Sequence, residues 1–128
     1  MLIFALALAT PSSFTEIHQR DIACVATLGL EAQRQQLTGV GQSGLPDVRE
    51  TGRRWAGLVG ARIVAETGQP RELVAFAIQQ AVEAEQAEAK SGAASATAAA
   101  RLQECRTHMQ ADLAAEDAKN APLPKPQR

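Results

Sequence analysis

Between Val48 and Ile63 the stripe-forming residues fall at Val48, Gly52, Trp55, Val59 and Ile63, in steps of four, three, four and four. That period puts all five on one side of an α-helix, whereas the two-residue repeat of a strand would scatter them over both faces. The same spacing recurs along the chain. Phe14, Ile17, Cys24, Val25, Leu28 and Ala32 make a stripe that Asp21 interrupts. A broad apolar face runs from Leu73 to Val82, and Ala98, Leu102, Cys105, Met109 and Leu113 make a fourth stripe.

The punctuation agrees with this division. Ser13 and Glu16 have the spacing of a capping box, in which each side chain satisfies a free backbone N–H of the first turn. Pro46 or Asp47 opens the second helix, Gly68 is placed for a left-handed stop, and Pro70 suits the first turn of the third. Gly92 breaks the third helix from the fourth. The pattern predicts an all-α, single-domain antiparallel four-helix bundle with helices over about 13–37, 46–67, 70–90 and 94–118, and a glycine-rich loop, "TGVGQSGLP", between the first two. Residues 13–118 form the domain, 1–9 an apolar leader-like segment, and 119–128 a proline-rich tail expected to be disordered.

Composition adds one constraint. Alanine occurs 26 times, against three phenylalanines, one tryptophan and no tyrosine, so the core is thin and gains from a covalent staple. Cys24 and Cys105 each stand about eleven residues into the first and last predicted helices, which adjoin in an antiparallel bundle. A Cys24–Cys105 disulfide is therefore expected; in the chain-entropy account it would stabilise the fold by about 4 to 5 kcal/mol. The alternative is a pair of reduced thiols in the core.

Cys105 also lies three residues before His108, a spacing that admits a metal or haem ligand pair. The second cysteine of C-x-x-C-H is missing, and His18 does not share the helical phase of Cys24. The chain also lacks the paired Glu-x-x-His of di-iron bundles. No cofactor or metal is assigned. No G-x-S-x-G or phosphate-binding loop is present either, so the expectation is a non-enzymatic protein.

The opening "MLIFALALATPSS" has an apolar run from Leu2 to Ala9 and the small-x-small triplet Ala7-Leu8-Ala9 of a secretory signal, without a basic residue before Arg20. It is too short to span a bilayer. Asp21-Ile22-Ala23-Cys24 lacks the apolar context of a lipoprotein signal. The expected location is the periplasm or the exterior, with the cytoplasm as the alternative. In general character the chain resembles the small disulfide-stapled helical proteins of bacterial periplasms, acid-stress chaperones among them. That resemblance transfers no residue.

A formal charge of −1 gives no field that would attract nucleic acid or an anionic membrane. Locally, residues 46–71 hold five arginines against Asp47, Glu50 and Glu66, and residues 72–90 hold four glutamates against Lys90. Two neighbouring segments of opposite sign are expected to complement each other within the bundle. Small residues also recur every four positions, at Gly52, Ala56 and Gly60 and at Gly57, Ala61 and Ala65, which is expected to serve close packing inside the chain.

The leading expectation is a small helical envelope protein that binds a protein partner or an apolar ligand. One alternative is a cytosolic helix-turn-helix DNA-binding or dimerising adaptor. "ARIVAETGQPRELVAFAIQQA" has the cadence of that motif, and Arg49, Arg53, Arg54 and Arg71 would be its contacts. A degenerate haem- or metal-binding bundle is the other.

Overall fold

The computed structural model describes residues 14–41, 44–90 and 95–123. The apolar opening and Ser13 lie outside these residues, as does the end of the tail; Asn120 to Leu123 follow the last helix and are exposed. The described residues form four helices and no strand: α1 Glu16–Thr38, α2 Arg49–Thr67, α3 Arg71–Lys90 and α4 Ser95–Lys119. They pack as a four-helix bundle, with boundaries within three residues of those the sequence predicts.

α1 and α2 run antiparallel, since His18 near the start of α1 meets Glu66 at the end of α2, and Gln35 near the end of α1 meets Val48. Gly68, at φ 70°, closes α2 with its N–H on the Val64 carbonyl, a left-handed cap that glycine adopts without steric cost. The chain then turns straight into α3.

The helices do not pack in a simple ring. α1 touches all three others and α2 likewise, while α3 and α4 make no close backbone approach among the described residues. α1 and α2 are thus the spine on which α3 and α4 each pack. The physical reason lies in the first turns of α4, where Thr97 to Ala100 are exposed and offer α3 no large side chain to pack against. Arg101 bridges the gap, pairing with Glu85 at 2.9 Å and Glu88 at 3.2 Å.

Helix α1 starts later than the Ser13 cap predicts. Its N-cap is Thr15, whose hydroxyl accepts the His18 N–H at 3.2 Å, while the Thr15 N–H donates to His18 Nδ1 at 3.2 Å. Histidine at the third helical position does the work expected of Glu16, and its other ring nitrogen is left to meet Glu66 at 3.5 Å.

The core side of α2 is as its periodicity predicts: Val48, Trp55, Val59 and Ile63 are all buried. Trp55 is 0% exposed. Full burial of such a side chain contributes roughly 1.5 to 3 kcal/mol, so this stripe is the main apolar support of the fold. α4 adds Cys105, Met109 and Leu113, again in phase with the prediction.

Two stripes are corrected. Ile17 is 60% exposed, and the buried side of α1 instead includes His18, Asp21, Thr27, Glu31 and Gln35. A helix surrounded by three others buries most of its circumference, so polar residues are drawn in and must be satisfied there. On α3 only Val74 is buried, whereas Leu73 is 42% and Phe76 56% exposed, because α3 has a neighbour on one side only.

Candidate functional site

A polar lock joins three helices. Arg62 on α2 sends one Nη2 to Asp21 Oδ2 on α1 at 2.8 Å and to Asp112 Oδ2 on α4 at 3.0 Å. The Trp55 indole N–H donates to the same Asp112 oxygen at 2.9 Å, and Arg20 covers the other oxygen of Asp21. Asp21 is 1% exposed, a carboxylate that only this arrangement makes tolerable. Burial alone would push the Asp112 carboxyl up, but hydrogen bonds from Trp55 and Arg62, with the charge of Arg62, hold it below its ordinary value. Burial likewise opposes the Arg62 charge, and the two carboxylates raise its pKa despite that.

A second lock holds the glycine-rich connection to α1. The buried Gln35 amide donates to the Pro46 carbonyl at 3.1 Å and to Glu31 at 3.2 Å, and its oxygen accepts the Val48 N–H at 2.9 Å. The N-cap of α2 is Val48, which has no capping oxygen, so α1 helps satisfy the end of α2 from outside. Gly39, Gly41 and Gly44 all have positive φ in the connection itself. Every buried side-chain nitrogen and oxygen among the described residues has a partner. Both locks are satisfied by partners within the molecule.

Cys24 and Cys105 lie at disulfide distance, with sulfurs 2.11 Å and Cα atoms 5.1 Å apart. Cys105 is therefore occupied by Cys24 and unavailable to His108, which sits at the stripe's edge 3.8 Å from Glu104. Among the described residues no group of three His, Cys, Asp or Glu side chains could hold a metal ion. No helix there is long and apolar enough to cross a membrane.

The arginines of the helix-turn-helix alternative do not converge. Arg49 is engaged by Asp47 at 2.7 Å, and Arg54 pairs with Asp117 on α4. Arg53 is exposed beside them, and Arg71 stands beyond the far end of α2, a 19-residue helix about 28 Å long. The charge complementarity expected between α2 and α3 is also rearranged: α2 pairs with carboxylates of α1 and α4, and the α3 glutamates pair with Arg101. Phase explains this, since Arg54 and Arg62 point toward α4, away from α3.

The remaining feature is an open apolar groove of about 650 Å³ between α2 and α3. Gly57, Gly60, Ala61, Val64, Ala75 and Ile78 line it, with Arg71 and Glu72 at one end. Of the small-residue stripes of α2, all but Gly52 lie along this groove. A Cβ built on Gly52, Gly57 or Gly60 meets nothing within 4 Å, so among the described residues the close packing expected of them is absent.

No known relative fixes a role for these features. No family model matches the chain, and neither curated proteins nor solved structures give a match. Sequence reasoning missed Asp21, Arg62, Asp112 and Gln35. In the sequence Asp21 interrupts an apolar stripe, and a polar residue in the phase of a core is the signal that could have found both locks.

Proposed function

We propose that this chain is a small, non-enzymatic helical protein of the cell envelope that receives an amphipathic helix of a protein partner in the α2–α3 groove. The observation that carries the reading is the open space over the groove glycines. Glycine inside a helix costs roughly 0.5 to 1 kcal/mol relative to alanine, and nothing among the described residues uses the room it leaves. Small residues four apart admit the ridge of an incoming helix. The groove is open along two helices, which suits a helix better than a small molecule that needs enclosure. Arg71 and Glu72 lie at its end with opposite charges and no ion pair among the described residues, and a partner helix carrying an acid and a base at one end complements both.

Export is supported by the signal-like composition of residues 1–9 and by two buried cysteines at disulfide distance, which persist as a disulfide in oxidising compartments. Intact mass with and without reductant, on protein from its native compartment, tests both points; a full-length chain with two free thiols would refute export. The groove is tested by titrating a synthetic helical peptide with an alanine/leucine face and a terminal Glu/Arg pair. Saturable binding that Gly57→Leu abolishes supports a partner helix. Binding of only a small apolar dye points to a ligand pocket, concentration-dependent self-association to a second copy, and either replaces this reading, as does no binding at all.

A further inference from the structure

The attachment of α4 differs in kind from that of α3. α1, α2 and α3 bring Val25, Leu28, Val59, Ile63 and Val74 to one buried cluster, which α4 enters from its own side. α4 contributes Cys105, Met109 and Leu113 as its buried side chains among the described residues, and the first of these is held covalently. Its other ties are Leu102, partly buried against the core, and polar contacts: Asp112 to Trp55 and Arg62, Asp117 to Arg54, and Arg101 to Glu85 and Glu88. Ahead of Arg101, Thr97 to Ala100 are exposed and hold nothing down. Beneath α4 lies Trp55, wholly buried and bonded to α4 through its indole N–H.

We propose that α4 is an oxidation-locked clamp: the Cys24–Cys105 bond keeps it seated on α1 and α2, and reduction of that bond releases α4 while α1, α2 and α3 stay folded. Because α1, α2 and α3 stay folded in the released form, the part of the loop that gains freedom is the stretch of about 15 residues from Lys90 to Cys105, and closing it favours the docked form by roughly two orders of magnitude in equilibrium constant in the chain-entropy account. Without it, α4 depends on a short apolar stripe and on surface-edge ion pairs that water competes for. A dithiol reductant supplies two electrons and two protons: its own thiols close to a disulfide, and Cys24 and Cys105 each become a thiol. Both sulfurs are buried, so attack takes place as the thinly packed N-terminal half of α4 lifts. The protein then has two forms, a closed four-helix form and an open three-helix form that uncovers the apolar surface around Trp55. This holds whether or not the α2–α3 groove binds a helix, since that groove lies away from α4.

The test is amide hydrogen exchange on the full chain, oxidised and in excess dithiothreitol, together with Cys105→Ala without reductant. The expected result is a loss of protection of 100-fold or more across Arg101 to Lys119, a change under threefold through Val25 to Gln35 and Val59 to Val64, and a red shift of Trp55 emission. A uniform loss in all four helices would overturn the proposal, because α4 would then be integral to one cooperative unit. Unchanged protection of α4 in the reduced protein would overturn it equally. Should Cys105→Ala fail to fold, the reduced wild-type chain alone decides between these outcomes.

Discussion

The Trp55 indole N–H donates to the Asp112 carboxylate at 2.9 Å, so the single tryptophan of the chain reports on the seating of α4 against α2. Removing the acceptor leaves a buried donor without a partner, which costs more than the bond itself is worth. Asp112→Ala is expected to lose about 1 to 3 kcal/mol in urea denaturation. With Trp55→Phe added, the double variant loses less than the sum of the two single losses, because the stranded N–H is gone; strict additivity in the double-mutant cycle would argue against the contact.

Asp21 raises the stakes at the same lock. It is almost wholly buried and depends on Arg62 and Arg20, of which Arg20 is largely exposed. Arg62→Met leaves a buried carboxylate half-compensated and is expected to destabilise by about 3 kcal/mol. Adding Asp21→Asn should restore part of that loss. A single variant as stable as wild type would show that solvent already compensates Asp21.

The pH dependence follows from Asp112. Its carboxyl is held below its ordinary value, so the folded state sheds this proton more readily than the unfolded chain does. The stabilisation is complete above the ordinary carboxylate value of about 4 and is lost as pH falls through the lowered folded value. Thermal midpoints should hold steady from pH 7 to about 5 and decline below about 4, with a shallower acid slope for Asp112→Asn. Asp47, which its hydrogen bonds with Arg49 hold at about 2, sits at the surface, and neutralising it should leave the slope nearly unchanged. Equal slopes for wild type and Asp112→Asn would exclude Asp112 as the acid-sensitive group.

The glycines divide by conformation. Gly57 is helical with open space at its Cβ, so Gly57→Ala is expected to raise stability by about 0.5 to 1 kcal/mol. Gly68 sits at φ 70°, where an alanine is strained, and Gly68→Ala is expected to lower stability by about 1 kcal/mol. Calorimetric melting of both variants distinguishes the two; a loss of stability in Gly57→Ala would mean that its face is not open in solution.

Helix number, boundaries and the Cys24–Cys105 pairing were legible because each depends on local spacing or on depth along a helix. The Val48-to-Ile63 stripe needed nothing beyond periodicity. What spacing cannot convey is which helix lies at the centre. That fact turned Asp21, Glu31 and Gln35 from surface residues of one helix into buried groups, and it left Leu73 and Phe76 outside although their phase looked apolar. It also decided the charges. Arg54 and Arg62 found carboxylates on α4, far along the sequence, which net charge by segment had no means of indicating. The groove was half legible: the small residues were visible at fours, but whether they faced a neighbour or open space depended on where α3 lay.

The span of the cross-link has a further effect on how the molecule withstands damage. Cys24 and Cys105 are 81 residues apart, so the glycine-rich connection, α2 and α3 all lie inside one covalent loop. A protease that cuts between Gly39 and Gly41 produces two pieces that remain one molecule, visible as fragments only on a reducing gel. A single cut releases material only when it falls outside the two cysteines. To an endopeptidase the oxidised protein is a ring with two tails.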